Sequence, residues 1–112
     1  MYQPSKGDII WLDFDPARGR EIKKRRPALV LSSAKYTRLT QLILVSPITQ
    51  GAQHLVSMGF NVELAHEQLQ GNVNALQVYT YDFIERNARY IGTCEPDIVN
   101  QVLNIQQFIY QD

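Results

Sequence analysis

The chain is poor in cysteine and in long apolar runs. Cys94 is the single cysteine among 112 residues, which excludes an internal disulfide framework and predicts a reducing compartment, the cytoplasm. No apolar run approaches the roughly 18 residues that a membrane-spanning helix needs, and residues 1–7 lack the apolar stretch of a secretory signal. We therefore expect a soluble cytoplasmic protein that makes no contact with a membrane, with a single domain over residues 1–112.

Motifs for metal ions, cofactors and nucleotide phosphates are also missing. His54 and His66 are well separated, and no Cys-x-x-Cys or His-x-x-x-His spacing accompanies them. No glycine-rich G-x-x-x-x-G-K loop occurs. The sequence therefore predicts no metal site and no cofactor, and no spacing selects a Ser–His–Asp triad.

The net charge is zero, from 11 basic and 11 acidic residues, but the two signs are unevenly distributed. Six of the 11 basic residues lie within residues 18–26, here called the basic loop, where Glu21 is the only acid. Residues 43–84 contain no lysine or arginine. Such a concentration of positive charge favours a polyanionic partner. The alternative is a solvated loop that keeps the chain soluble.

Short β-branched and aromatic runs separated by turn residues dominate the chain. They predict strands over residues 8–14, 27–32, 41–46, 60–64, 73–81 and 88–93. Pro47 is expected to end the third strand, because proline lacks the N–H that a central strand needs. Strands this short and closely spaced predict a closed or nearly closed small barrel.

The last part of the chain has the periodicity of a helix. Pro96 stands at a first helical position, and Glu95 and Asp97 place acidic groups where the helix dipole favours them. Apolar residues follow on one face, namely Ile98, Val102, Ile105 and Ile109, with Val99, Leu103 and Phe108 beside them. We expect this helix to cover the barrel and a shorter helical turn at residues 35–39. The predicted fold class is mainly β with a C-terminal α-helix.

One candidate site begins where the basic loop enters the second predicted strand. Pro27 holds the backbone of Arg26 extended, at the mouth of the barrel. A guanidinium stays charged at any working pH and binds a phosphate with two hydrogen bonds. An ion pair of Arg26 with Asp13 or Asp15 is the alternative.

A second candidate site follows the third predicted strand. Pro47 and Gly51 bracket a turn that would present Thr49 and Gln50 just beyond the strand end. A hydroxyl and an amide in that position can bind phosphate oxygens or base edges. The alternative is that both are ordinary turn residues.

Together these segments resemble the MazF/PemK family of toxin endoribonucleases over nearly the whole chain. Residues 7–16 (GDIIWLDFDP) are similar to the family's opening strand. Gly19-Arg20-Glu21 and residues 26–32 (RPALVLS) resemble its first loop and second strand. Residues 44–51 (LVSPITQG) and 59–62 (GFNV) are similar to the branch that contains Kid/PemK and ChpB.

The resemblance implies an SH3-like barrel with a C-terminal helix that works as a homodimer. It implies cleavage of single-stranded RNA at short sequences without a metal ion. In that reaction the 2′-hydroxyl attacks the adjacent phosphate, which gives a 2′,3′-cyclic phosphate and a 5′-hydroxyl end. The resemblance also implies a cognate antitoxin whose disordered acidic tail lies over the basic groove.

Three residues are the candidates for catalysis. Arg26 matches the family's catalytic arginine and Thr49 its catalytic threonine. A fixed arginine would stabilise the negative charge that develops on the phosphate, and the threonine would hydrogen-bond a non-bridging oxygen. Glu21 is the candidate base for the 2′-hydroxyl. For Glu21 a charge pair with Arg18 or Lys24 is the alternative.

Other residues are candidates for RNA binding. Arg20, Lys23, Lys24 and Arg25 would contact the RNA backbone, Met58 and Phe60 would pack against splayed bases, and Gln50 and Gln77 would read base edges. For Phe60 a core position on the alternating strand is the alternative.

The chain departs from the Kid branch at the residues of that branch's acid–base set. Arg20 replaces a histidine, Asn74 and Leu76 replace an arginine and an aspartate, and Tyr79 stands where a basic residue is common.

Two other functions stay open. One is a catalytically inactive binder of RNA and antitoxin. The other is a gyrase poison like CcdB. The arginine–proline motif and the residues at the end of the helix, 108–112, both argue against this function.

Overall fold

A computed structural model describes residues 1–16, 18–21, 23–50 and 59–111. His54 and Met58, one of the predicted RNA-binding residues, lie outside these ranges. The described strands are β1 (Asp8–Asp13), β2 (Arg25–Val30), β3 (Leu42–Thr49), β4 (Asn61–His66), β5 (Leu69–Asn74), β6 (Tyr79–Asp82) and β7 (Arg89–Thr93). The described helices are α1 (Ala34–Thr40) and α2 (Pro96–Tyr110). The prediction of a mainly β fold with a C-terminal helix is confirmed.

The described strands form one curled, antiparallel sheet in the order β4-β5-β3-β2-β1-β7. β3 pairs with β2 along one edge, and along its other edge it pairs first with β6 and then with β5. The end strands β4 and β7 are joined by a side-chain contact, since the His66 imidazole of β4 lies against Gly92 of β7. A Cβ atom at Gly92 would come within 2.6 Å of His66 Cε1. The sheet thus comes close to closing as a barrel.

Two hydrophobic clusters fill the two faces of this sheet. One lies between the sheet and α2 and includes Ile9, Leu29 and Val102. The other, on the opposite face, includes Ile10 and Leu12. Successive residues of a strand point to opposite faces, so β1 is buried on both sides. This explains why its sequence is a nearly continuous apolar run.

The run predicted as one strand over residues 73–81 is two strands, β5 and β6, separated by a turn at residues 75–78. The Gln77 amide donates to the Asn74 carbonyl at 3.2 Å and closes that turn. β5 pairs with β4 and the end of β3, whereas β6 pairs with the beginning of β3. A single straight strand cannot follow both partners, so the chain turns between them.

The sequence predicted that Pro47 ends the third strand. This prediction is wrong, because β3 continues to Thr49. The Leu44 carbonyl accepts from the Leu31 amide at 2.8 Å, so the backbone groups of Leu44 face β2. Alternation along the strand turns the nitrogen of Pro47 to the other edge. On that edge β6 pairing ends at Val45 and β5 pairing starts at Ile48, so the missing N–H interrupts no ladder.

Helix α2 begins at Pro96, as predicted, and covers the first cluster. Its buried residues are Val99, Val102 and Gln106, and the amide of Gln106 is only 3% exposed. Ile109, predicted on the buried face, is 43% exposed. The helix therefore ends its contact with the sheet one turn earlier than its apolar pattern indicates. Neither described helix is long and apolar enough to cross a membrane.

The buried Cys94 thiol gives a test of this packing. It is 3% exposed, and burial, assisted by the nearby Glu95 carboxylate, raises its pKa from 9.0 to about 11. At pH 8 the thiolate fraction is then about 100-fold lower than for a thiol with an ordinary pKa. We expect iodoacetamide to modify the native protein about 100-fold more slowly than the protein in urea. Equal rates in the two conditions would contradict the burial of Cys94 in the first cluster.

Candidate active site

Arg26 and Thr49 occupy corresponding positions on neighbouring strands. The last β2–β3 pair at this end of the sheet joins Ala28 to Pro47, and Arg26 and Thr49 each lie two residues beyond that pair on their own strand. Side chains two residues apart on a strand share a face, so both follow the face of Ala28. The two candidate sites that the sequence predicted separately are thus brought together by strand pairing.

Both residues line one groove of about 370 Å³. Its lining residues are Trp11, Lys24, Arg25, Arg26, Pro27, Ile48, Thr49, Gln50, Leu69 and Gln70. Three of them are cations and none is acidic, so the groove attracts a polyanion although the net charge of the chain is zero. Among the described residues, no group of three His, Cys, Asp or Glu side chains is placed to hold a metal ion.

The Arg26 side chain is half-buried and is held by its own loop. Its Nε donates to the carbonyl of Lys23 at 2.7 Å, which fixes the guanidinium relative to the end of the basic loop. Asp13 was the alternative ion-pair partner for Arg26, but it pairs with Arg25 instead. Nη1 of Arg25 lies 2.9 Å from Oδ1 of Asp13. Asn87 Nδ2 donates to the same carboxylate at 2.7 Å. The bond from Asn87 and then that from Arg25 lower the pKa of Asp13, so its negative charge persists.

Thr49 is held from the other side by β5. It pairs with Asn72, and the neighbouring Gly71 lies directly against its main chain. A Cβ atom at Gly71 would be 2.8 Å from the Thr49 carbonyl oxygen and 3.0 Å from Cγ2 of Ile48. Only glycine permits this approach, so the position of Thr49 depends on the absence of a side chain at residue 71.

A second cavity of about 420 Å³ adjoins the groove. Gln50 and Gln70 line both spaces, and Nε2 of Gln50 lies 3.5 Å from the Gln70 carbonyl. The second cavity is also lined by Glu63 and Asn72. Oδ1 of Asn72 is buried and has no hydrogen-bond partner among the described residues. A positively charged groove thus adjoins a surface of amides and one carboxylate.

The basic loop is organised by hydrogen bonds to its own main chain. A carboxylate oxygen of Glu21 accepts from the amide of Arg18, and the Glu21 amide donates to the Arg18 carbonyl at 3.1 Å. Lys24 has a left-handed backbone with a φ of 71°, which turns the chain into β2. Arg20, Glu21 and Lys23 are exposed in this loop and are not among the groove's lining residues.

Phe60 and Gln77 lie away from the groove. The Phe60 ring is half-buried outside both hydrophobic clusters, with its centroid 5.9 Å from that of Phe108. Gln77 lies in the β5–β6 turn, where its Oε1 accepts from Nδ2 of Asn74 at 2.9 Å. Its Nε2 lies 3.5 Å from the carbonyl of Arg20.

Five groove residues were not predicted as site residues: Trp11, Pro27, Ile48, Leu69 and Gln70. Pro27 and Ile48 are chain neighbours of Arg26 and Thr49. Trp11 carried a weak signal as the only tryptophan in the sequence, but its exposure on β1 is known only from the structure. Leu69 and Gln70 carried none, since they reach the groove only through the pairing of β5 with β3.

Comparison with known proteins gives a consistent match. Residues 5–109 match the family of PemK-like, MazF-like toxins of type II toxin–antitoxin systems. The endoribonuclease toxin ChpB of Escherichia coli (strain K12) is 40% identical over 101 residues, which cover 88% of this chain and 86% of ChpB. A crystal structure of MazF from Deinococcus radiodurans matches with a TM-score of 0.90 and 32% identity over 98% of both chains. A crystal structure of a MazE–MazF complex from that organism matches with a TM-score of 0.83 and 31% identity over 97% of both.

The contact between Gly71 and Thr49 can be tested by Gly71→Ala. The added methyl group must displace the main chain of Thr49, so we expect a loss of about 1–3 kcal/mol in the free energy of unfolding. We also expect NMR shifts at Ile48 and Thr49. Gln70→Ala, a change at the adjacent residue, is the control and should leave the Thr49 amide resonance in place. An unshifted Thr49 resonance in Gly71→Ala would refute the contact.

Proposed function

The chain belongs to the PemK-like, MazF-like family of toxins of type II toxin–antitoxin systems, and on this premise we propose that it is an endoribonuclease that cleaves single-stranded RNA. One observation carries the proposal. Arg26 and Thr49 each lie two residues beyond the last β2–β3 pair, and they line one groove whose charged lining residues, among those the structure describes, are all cations. A phosphodiester in that groove would meet a guanidinium and a hydroxyl held on two paired strands.

The reaction we propose needs no metal ion, because the arginine supplies the positive charge. The 2′-oxygen forms a bond to phosphorus while the bond from phosphorus to the 5′-oxygen breaks, which gives a 2′,3′-cyclic phosphate and a 5′-hydroxyl. Negative charge develops on the non-bridging oxygens, where Arg26 stabilises it. Thr49 donates to one of these oxygens and orients the phosphate.

Two protons move in this reaction. Glu21 is the proposed acceptor of the proton from the 2′-hydroxyl, and it reaches the substrate only when RNA contacts the basic loop as well as the groove. The 5′-oxygen receives a proton from Arg26 or from water, and the high pKa of a guanidinium makes arginine a reluctant acid. The Glu21 bond to the Arg18 main chain supports a fixed carboxylate at the loop.

RNA binding extends beyond the reacting phosphate. Lys24 and Arg25 in the groove, with Arg20 and Lys23 on the loop, would contact successive phosphates and supply affinity rather than sequence preference. The amide-rich second cavity, lined in part by Gln50, would accept a splayed base. Phe60 with Phe108, and Gln77 in its turn, are further candidates for base contacts.

The proposed partners are a cognate antitoxin and a second copy of the chain, both in the cytoplasm. The related Deinococcus protein has been crystallised as a MazE–MazF complex, and an acidic segment would be complementary to the cationic groove. Phe108 and Tyr110, at the end of α2, are 65% and 66% exposed, which supports burial against another copy. The related toxin ChpB is an endoribonuclease, which counts against a gyrase poison.

A binder without catalysis is the second candidate function, and the β5–β6 turn favours it. The Asn74 side chain donates to Gln77 and accepts from the Leu76 amide at 3.2 Å, so its hydrogen bonds stabilise the turn. Neither Asn74 nor Leu76 can act as an acid or base. Catalysis would then depend on Arg26, Thr49 and Glu21 alone.

The first experiment separates the two functions. Purified protein is incubated with a long natural RNA in excess EDTA, and the fragment ends are mapped. We expect discrete cuts with cyclic phosphate and 5′-hydroxyl ends, reduced about 100- to 1,000-fold by Arg26→Gln and at least about tenfold by Thr49→Val. Arg89→Gln, at an exposed arginine of β7, is the matched control and should cleave normally.

Each result decides a part of the proposal. Cleavage that requires a divalent ion would refute the metal-independent reaction. Undiminished cleavage by Arg26→Gln would refute the role of Arg26. Bound but uncut RNA would establish the catalytically inactive binder.

The Arg25–Asp13 ion pair gives a separate prediction about binding. Asp13→Asn removes the charge that Arg25 faces, so Arg25 becomes available to a phosphate. We expect tighter binding of a non-cleavable 2′-O-methyl RNA and a steeper salt dependence, by about 0.7 in the slope of log K against log salt. Asp97→Asn, in the first turn of α2, removes the same charge away from the groove and should leave the slope unchanged. An unchanged slope in Asp13→Asn would show that the ion pair with Asp13 does not limit the contact of Arg25 with RNA.

A further inference from the structure

A buried hydrogen bond joins the C-terminal helix to the central strand. Nε2 of Gln106 on α2 donates to Oγ of Ser46 on β3 at 2.8 Å, and the two residues are 3% and 0% exposed. Oγ of Ser46 in turn donates to the main-chain carbonyl of Gln77 at 2.8 Å. The hydroxyl thus uses its donor and one acceptor position, and it fixes the β5–β6 turn against β3.

The side chain of Gln77 extends this chain of contacts to the basic loop. Its Oε1 is held by Asn74, which leaves Nε2 directed to the carbonyl of Arg20 at 3.5 Å. This hydrogen bond joins residues 18–21 to the β5–β6 turn. At the outer limit of hydrogen-bond length, it is broken by a small displacement of Gln77.

Stability alone does not account for a polar pair at this place. Gln106 follows Val99 and Val102 on the buried face of α2, where an apolar side chain would fit the pattern. Replacing both partners of a buried hydrogen bond by apolar groups of similar shape is often nearly neutral. The hydrogen bond of Ser46 is directional, so it fixes the position of Gln77, which apolar packing would not do.

We propose that Gln106 and Ser46 are positioning residues that set the basic loop against the groove, acting through Gln77. Ser46 lies three residues before Thr49 and opposite Leu29, which lies three residues after Arg26. The same strand pair therefore carries the groove residues and the anchor of the loop. The importance of this arrangement for RNA rests on the proposed function, whereas the ordering of the loop does not.

An isosteric pair of substitutions tests the proposal. Ser46→Thr retains the hydroxyl and Ser46→Val replaces it by a methyl group of the same shape, so both impose the same crowding. The basic loop contains six of the 11 lysines and arginines, and native-state trypsin cleavage that is mapped to residues 18–25 reports its opening. We expect cleavage about fivefold faster in Ser46→Val than in Ser46→Thr, as the loss of one hydrogen bond implies.

A second pair covers the case in which Ser46 variants do not fold. Gln106→Leu removes the buried amide, and Gln107→Leu makes the same change at the adjacent, exposed position of α2. Only Gln106→Leu should accelerate cleavage of the loop. Equal trypsin rates within both pairs would overturn the proposal, whatever the effect on the midpoint of thermal unfolding.

RNA kinetics then separate this inference from the proposed function. With an active parent, Ser46→Val and Gln106→Leu should raise KM about fivefold, because the loop binds the RNA backbone, and should also lower kcat, because Glu21 lies in the same loop. A merely structural role would lower the thermal midpoint and leave both constants unchanged below that midpoint. If the parent neither binds nor cleaves RNA while trypsin still distinguishes the variants, the proposed function fails and the positioning role stands.

Discussion

The pairing of β3 with three strands is the constraint on which the rest of the structure depends. Along one edge β3 is bonded to β2, and along the other it changes partner from β6 to β5 around Pro47. This change lets a short sheet curl without losing backbone hydrogen bonds, since proline lies where no donor is needed. It also brings Leu69 and Gln70 beside the ends of β2 and β3, where the groove forms.

Electrostatics in this protein depend on placement rather than on total charge. A neutral chain concentrates cations at one groove because the basic loop leads directly into β2. Asp13 offsets part of that charge by holding Arg25, and Asn87 keeps the carboxylate ionised. Arg26 is left to its main-chain contact with Lys23, and its charge remains available to an anion in the groove.

Much of the fold was accessible from the sequence, because the signals are local. The apolar run of β1, the proline at the start of α2 and the turn residues between strands each act within a few positions. The β5–β6 turn was missed, since residues 73–81 have strand-forming side chains at both ends and no glycine or proline between them. Gln106 was missed as a buried residue because a polar side chain on an apolar helix face predicts exposure.

The candidate site, like the fold, was only partly predictable from the sequence. The sequence by itself determined the basic loop, the arginine held extended by Pro27, and the family resemblance that singled out Arg26 and Thr49. Only the tertiary structure decided that these two side chains share a groove, that Gly71 lies against the main chain of Thr49, and that a buried hydrogen bond joins Ser46 to Gln106. The reason is physical: strand register and helix docking join residues far apart in the chain, and such contacts are set by the packing of the whole sheet rather than by neighbouring residues.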